Sequence, residues 1–358
     1  MRYPVSRPSL SQAEHLALMA TLASGQITQG PRVTDFENRL ADYLNVPYVV
    51  ACSSGTSALH LALLAAGVQP GDEVLVPDLS FIATANAVSY IGATPVLVDV
   101  ELHSWNMDLA DAATKVCSRT RAILPVHLYG VPCDMQRMQH FAELYNLVIV
   151  EDAAEALGGH FHGRKCGTFG VCGTFSFYGN KIITTGEGGA IATSSEEVYQ
   201  LLRLYRGQGQ GSKRFQHDVI GFNYRMTDMQ AAIGASQVTC LSKLVEEREE
   251  IFAAYDHHLN GFLETSHVVG AAPWLYTGLL PETANRDNII HVLDGLDIET
   301  RPTFVPMHRQ AMYARPDSQF PFSSLIADCG ISLPTYTGMS NNDVRFICDT
   351  LKTVSRYA

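Results

Sequence analysis

The sequence predicts an α/β protein built on a mixed, mostly parallel sheet flanked by helices, with a smaller α+β region towards the C-terminus. Two observations carry this. Between residues 48 and 152 short apolar runs alternate with helical stretches, as buried parallel strands alternate with their crossover helices. The turns after those runs hold the small, polar and ionisable residues, at the sheet edge where open α/β folds bind ligands.

The elements follow in order. Ser11 and Glu14 make a capping box that opens a helix ending near Gly25. YVVAC (48–52) is the first expected strand, and SALHLALLAAG (57–67) a buried helix behind it. EVLVP (73–77) and PVLVDV (95–100) are strands on either side of the helix FIATANAVSYIG (81–92). AILPVHL (122–128) and LVIVED (147–152) are two more, separated by a helix around Met135–Tyr145. From Thr227 or Asp228 a long helix is expected, with Val238, Leu241, Val245, Phe252, Tyr255 and Leu259 at helical spacing. WLYTGLL (274–280), IETRPTF (298–304) and a helix over 341–354 make up the α+β region. The expected division is a large domain over residues 1–245, including the N-terminal segment and bridging helix, and a small domain over 246–358.

Composition narrows the function. A net charge of −11 excludes a general nucleic-acid binder, which needs a basic face. Eight cysteines without a CxxC pair read as reduced thiols of a cytoplasmic protein, neither a disulfide framework nor a zinc site. MRYPVSRPSLSQAEHLALM lacks the apolar core of a signal peptide, and no apolar run reaches membrane-spanning length. No metal site and no membrane association are expected.

Four features carry chemistry. SSGTSALHLAL (53–63) runs from strand into helix, so Ser54, Gly55 and Thr56 either cradle a phosphate on free N–H groups or simply cap the helix. Phe81 follows a strand and either stacks on a flat ring or fills core. Asp152 ends an apolar strand, where a carboxylate needs a partner: a protonated ring nitrogen, or a structural salt bridge. The fourth is Lys181. From Gly167 to Ile191 it shares the chain with one other charged residue, Glu187, and a buried lysine has a lowered pKa and a nucleophilic amine. Ser176 and GEGG (186–189) lie close by in sequence, and GEGG is not a Walker loop. His160 and His162 lack metal-ligand spacing. Together a phosphate cradle, a stacking aromatic, an acid for a ring nitrogen and a lone lysine meet the requirements of pyridoxal phosphate.

The succession GTSALHLAL (55–63), VPDLSFIATANAV (76–88), EDAAEALGG (151–159), GTFSFYGNKIITTGEGGA (173–190) and GFNYRMTDMQAAIGASQ (221–237) resembles the DegT-type sugar aminotransferases. These are pyridoxal phosphate enzymes of the aspartate aminotransferase fold, fold type I. The resemblance runs from about Pro8 to the C-terminus. It implies that Lys181 attaches covalently to the cofactor and moves the proton during catalysis. Asp152 would pair with the ring nitrogen, Phe81 would stack on the ring, and Ser54, Gly55, Thr56 and Ser176 would bind the phosphate. Asn223 would reach the cofactor phosphate of a neighbouring subunit, with Arg225 beside it, which implies at least a homodimer and leaves a tetramer open. Glu155 stands where many relatives have glutamine, near the ring 3-oxygen.

EDAAEA with GNK, RGQGQ (206–210), Lys213–Arg214 and IETRPTFVPMHRQAMY (298–313) resemble the branch of this family that aminates GDP-4-keto-6-deoxymannose to GDP-perosamine. L-glutamate is then the donor, and a lipopolysaccharide O-antigen or another glycan the destination. A related dehydrating group has histidine at the lysine position, so Lys181 argues for transamination. Arg225 and His308 are the expected substrate contacts. Arg206, Lys213, Arg214 and Arg301 could gather positive charge for a diphosphate, or form a solvated basic face. Alternative readings are a UDP- or dTDP-linked or eight-carbon keto sugar as substrate, a non-catalytic pyridoxal phosphate-binding regulator, and an NAD(P) oxidoreductase. The last lacks a GxGxxG after its first strand.

Overall fold

The computed structural model describes residues 1–356. Helix α1 (Gln12–Ser24) begins at the expected box: Ser11 Oγ accepts from the Ala13 N–H, and the Glu14 carboxylate accepts from the Ser11 N–H. Helix α2 (Pro31–Leu44), which the sequence reading left out, buries Val33, Phe36, Leu40 and Leu44.

The main sheet collects β1 (Tyr48–Cys52), β2 (Glu73–Pro77), β3 (Thr94–Val98), β4 (Thr120–Ile123) and β5 (Val148–Asp152). A small hairpin, β6 (His160–Phe161) and β7 (Arg164–Lys165), precedes two further members, β8 (Cys172–Ser176) and β9 (Gly189–Thr193). The order is β1-β9-β8-β5-β4-β2-β3. All neighbours are parallel except at β9, which runs antiparallel to β1 and β8. The strand carboxyl ends therefore share one edge. Helices α3 (Gly55–Ala65), α4 (Ala83–Tyr90), α5 (Leu109–Lys115) and α6 (Met135–Tyr145) connect strands β1 to β5, and α7 (Glu196–Arg206) follows β9; together they pack on the sheet.

Two expectations need correction here. AILPVHL is a strand only as far as Ile123; Pro125 has no N–H for a ladder, and the chain turns through Leu128–Gly130 with Tyr129 at φ 50°. The helix expected from Phe81 starts at Ala83, which leaves Phe81 in the turn above β2.

Helix α8 (Asp228–Leu259) starts at the Thr227 cap and runs unbroken through residue 245, so the proposed domain division falls inside a helix. Its first half packs on α1 and α2, and its second half on the C-terminal region. That region holds a three-stranded sheet of β10 (Tyr276–Leu279), β11 (Arg301–Pro302) and β12 (Gly330–Leu333) in the order β10-β12-β11. Helices α9 (Arg286–Gly295), α10 (Pro321–Cys329) and α11 (Asn341–Ser355) accompany it. Ile251, Tyr255, Ile289, Leu333 and Leu351 share its core, and Tyr3 from the N-terminal segment joins them. The Tyr3 N–H donates to the Asp297 carbonyl at 2.9 Å. No helix among the described residues is long and apolar enough to cross a membrane.

Candidate active site

A cavity of about 430 Å³ opens at the carboxyl edge of the main sheet. Strand ends and the turns after them supply its walls. Ser54, Gly55 and Thr56 come from the β1–α3 turn, Phe81 from the turn after β2, Asp152 and Glu155 from the end of β5 and beyond, and Ser176 and Lys181 from β8 and the loop after it. Trp274, Arg301 and Phe304 close it from the C-terminal region. Another cavity of about 480 Å³, around Met107, Val131 and Met138, contains none of the expected residues.

The β1–α3 turn caps its helix and leaves backbone donors over. Ser54 Oγ caps α3 by accepting from the Ser57 N–H at 3.1 Å. The N–H groups of the first turn remain for a ligand, since an α-helix gives them no partner. A Cβ on Gly55 would lie 2.9 Å from the Ser176 Cβ, so glycine is what keeps this cradle open. A Cβ on Gly189 would meet the Ser54 carbonyl oxygen at 2.3 Å, which explains the end of GEGG: β9 presses its backbone against the cradle.

Asp152 is buried. Its Oδ2 accepts from the Thr84 hydroxyl at 2.9 Å and its Oδ1 from the Ala154 N–H at 3.1 Å. Burial pushes its pKa up; the two hydrogen bonds and the charge of Lys181 pull the other way. Neutral donors steer this carboxylate without neutralising it, so a cationic ring nitrogen fits the site.

The Lys181 side chain is only 13% exposed, with its Nζ 4.0 Å from Glu155 Oε1 and 3.7 Å from the centre of the Trp274 ring. Burial lowers its pKa, opposed by Glu155 and Asp152. Burial raises Glu155 to about 7 against the charge of Lys181, and Glu155 Oε2 accepts from the Tyr129 N–H at 2.8 Å. A mostly buried amine, a buried carboxylate and the free N–H groups of a helix start, together in one cavity, fit pyridoxal phosphate. When bound, that group supplies an aldehyde for the lysine and a ring that withdraws electrons.

Phe81 is half exposed at the cavity mouth, its ring tilted 58° to that of Phe304 at 5.8 Å. Asn223 and Arg225 are exposed and lie outside the cavity wall of their own chain. They sit on a strip fixed to the cradle: the Ser53 N–H donates to the Tyr224 carbonyl at 2.8 Å.

His308 is elsewhere. It is fully buried, with Nδ1 2.6 Å from Asp78 Oδ2 and Nε2 3.0 Å from Asp317 Oδ1, and it stacks on Phe320. Both ring nitrogens are engaged, so the expected sugar or diphosphate contact is corrected to a structural pairing. Arg206 is likewise occupied, buried against Glu37 and the Ala51 carbonyl. Of Arg206, Lys213, Arg214, Arg225 and Arg301, the residues expected to gather positive charge, Arg301 alone lines the cavity. Trp274, Phe304 and Tyr129 were missed, because nothing in their local sequence distinguishes them from core aromatics. Among the described residues no cluster of His, Cys, Asp and Glu is arranged for a metal.

Comparison with known proteins agrees with this geometry. Residues 8–352 match the DegT/DnrJ/EryC1/StrS aminotransferase family. The chain is 42% identical to the GDP-perosamine synthase of Caulobacter vibrioides over 354 residues, covering 96% of this chain and 95% of that one. It is 40% identical to the GDP-perosamine synthase of Escherichia coli O157:H7 over 357 residues, 98% of each. Among solved structures, Helicobacter pylori PseC, an aminotransferase involved in the biosynthesis of pseudoaminic acid, superposes with a TM-score of 0.94 at 27% identity over the full length of both chains. The chain belongs to the DegT/DnrJ/EryC1/StrS aminotransferase family. It is a pyridoxal phosphate-dependent sugar aminotransferase of fold type I.

Proposed function

We propose that this enzyme moves the amino group of L-glutamate to the C4 keto carbon of GDP-4-keto-6-deoxy-D-mannose, forming GDP-perosamine in the cytoplasm. The observation that carries the transfer chemistry is the Lys181 amine, mostly buried and 4.0 Å from Glu155 in the cavity that also holds Asp152. The GDP-sugar assignment draws on identities of 40–42% to GDP-perosamine synthases over nearly the whole chain.

In this reading Lys181 holds the cofactor between turnovers. Its Nζ takes a proton from the donor carbon in one half-reaction and delivers one to the sugar C4 in the other. Asp152 would keep the ring nitrogen protonated, and Phe81 would hold the ring face at the cavity mouth. Ser54, Gly55, Thr56 and Ser176 orient the phosphate. Asn223 of a neighbouring subunit completes that phosphate site, with Arg225 beside the substrate, so the working unit is a homodimer. Arg301, half exposed at the cavity with its Nη2 2.9 Å from Glu299 Oε1, would meet an anionic substrate there.

Turnover with GDP-, UDP- and dTDP-linked 4-keto-6-deoxy sugars, with product amine detected by mass, tests the substrate. At least a tenfold preference in kcat/KM for the GDP sugar is expected. A preference for a UDP or dTDP sugar overturns the nucleotide assignment and leaves the transfer chemistry standing.

A further inference from the structure

Transamination requires the catalytic lysine to alternate between a bonded and a free state. When free it is a long cationic side chain in a largely apolar cavity, and an ammonium there needs compensation. Two groups stand at its tip. The Trp274 ring centre lies 3.7 Å from Nζ, within the range of a cation–π contact, and Glu155 Oε1 lies 4.0 Å away. We propose that Trp274 and Glu155 form a holding site for the Lys181 side chain in the part of the cycle when the lysine is not bonded to the cofactor. This rests on the lysine role proposed above.

The construction of the site supports it. Trp274 Nε1 donates to the carbonyl of Asn180 at 2.9 Å, so one side chain grips the backbone next to the lysine and faces the amine at its end. The Trp274 carbonyl accepts from Arg248 Nη1 at 3.0 Å, and its ring stacks at 15° on Tyr129, 5.9 Å between centres. Tyr129 in turn stacks on Phe304 and accepts from the Phe304 N–H at 3.0 Å. The Tyr129 N–H binds Glu155 Oε2, which leaves Oε1 for the amine. Tyr129 thus fixes both halves of the holding site, and it does so from a left-handed backbone conformation that non-glycine residues rarely take. The other ionisable groups round the cavity are Asp152, Tyr178, Glu187 and Arg301. Of these, Asp152 also favours the lysine cation, in common with Glu155.

The test uses enzyme loaded with pyridoxamine 5′-phosphate, in which the lysine is free. Competitive acetylation across a pH series, read at the Lys181 peptide by mass spectrometry, gives the titration midpoint of the amine. Trp274→Leu removes the ring face and should lower that midpoint by about 0.4 to 1 pH unit. Glu155→Gln should lower it as well. An unchanged midpoint in Trp274→Leu overturns the holding site. Should that variant fail to fold, Trp274→Phe carries the test, with a drop of about 0.3 pH unit expected and none contradicting it. Borohydride reduction of the pyridoxal phosphate-loaded enzyme separates the two claims. If no cofactor mass is fixed on Lys181, the proposed lysine role fails and the holding site with it. If the mass is there and the midpoint does not move, only the holding site fails.

Discussion

Asp78 and His308 meet at full burial across 230 residues of sequence: the His308 N–H donates to Asp78 Oδ1 at 2.8 Å, and its Nδ1 stands 2.6 Å from Oδ2. This pairing ties the segment carrying Arg301 and Phe304 to the end of β2, just before Phe81. His308 acts on the cavity through that anchorage. His308→Ala takes the imidazole from the buried Asp78 carboxyl, leaving only the backbone N–H of residue 308 on Oδ1, and should cost about 3 kcal/mol in unfolding free energy. Asp78→Asn combined with His308→Ala should cost less than the two single changes added together, a coupling that urea unfolding of the four proteins measures. Additive losses would contradict the pairing.

Gly55→Ala should weaken cofactor binding at least tenfold while the fold is kept. The new methyl lies 2.9 Å from the Ser176 Cβ, which belongs to a strand end and cannot swing aside. Absorbance titration of the stripped enzyme with pyridoxal phosphate gives the affinity. An unchanged Kd would place the phosphate somewhere else.

Lys181→Ala should lower turnover by more than about a thousandfold, since the variant lacks both the attachment point and the proton carrier. Asp152→Asn should retain the cofactor but lose roughly a hundredfold or more in kcat, because an amide cannot hold the ring nitrogen protonated. Single-turnover rates with each substrate separate these effects from binding. A Lys181→Ala enzyme with substantial activity would remove the basis of the mechanism.

Glu155 gives the cofactor-free protein a pH dependence of definite sign. The carboxyl has a value near 4.5 in the unfolded chain and is raised by burial to about 7 in the folded one. Below pH 4.5 both states hold the proton. Between 4.5 and 7 the folded state holds a proton that the unfolded chain has released, so stability falls as pH rises through that window. Glu155→Gln removes this dependence. The variant should be the more stable of the two by roughly 1–3 kcal/mol at pH 7.5, and nearly equal to wild type at pH 4.5. Denaturant melts at the two pH values check it, and equal stabilities at pH 7.5 would mean that burial does not raise the Glu155 carboxyl in the folded protein.

The helix expected around Met135–Tyr145 is α6. β8, whose short run CGTFS is broken by Gly173 and Thr174, was missed, while β1 to β5 were legible because buried strands are uninterrupted apolar runs. β9 was not: GAIAT is short and built of small residues, and its antiparallel place between β1 and β8 is a tertiary fact. α2 could have been found from Val33, Phe36, Leu40 and Leu44, which follow helical spacing behind Pro31. In the cavity, residues next to strand ends were readable since the fold itself brings strand ends together. His308 was misplaced and Trp274 missed for the converse reason. Both come from the C-terminal region, and which side of a loop faces the cavity depends on packing such as the Tyr129 stack and the Asp78 pairing.

The most direct measurement is the visible spectrum of the pyridoxal phosphate-loaded enzyme, followed through addition of L-glutamate and then of GDP-4-keto-6-deoxymannose. A yellow band that glutamate bleaches and the sugar restores is the predicted result, with both half-reactions seen in one cuvette. A protein that takes up the cofactor without a band, or whose band ignores glutamate, contradicts the account.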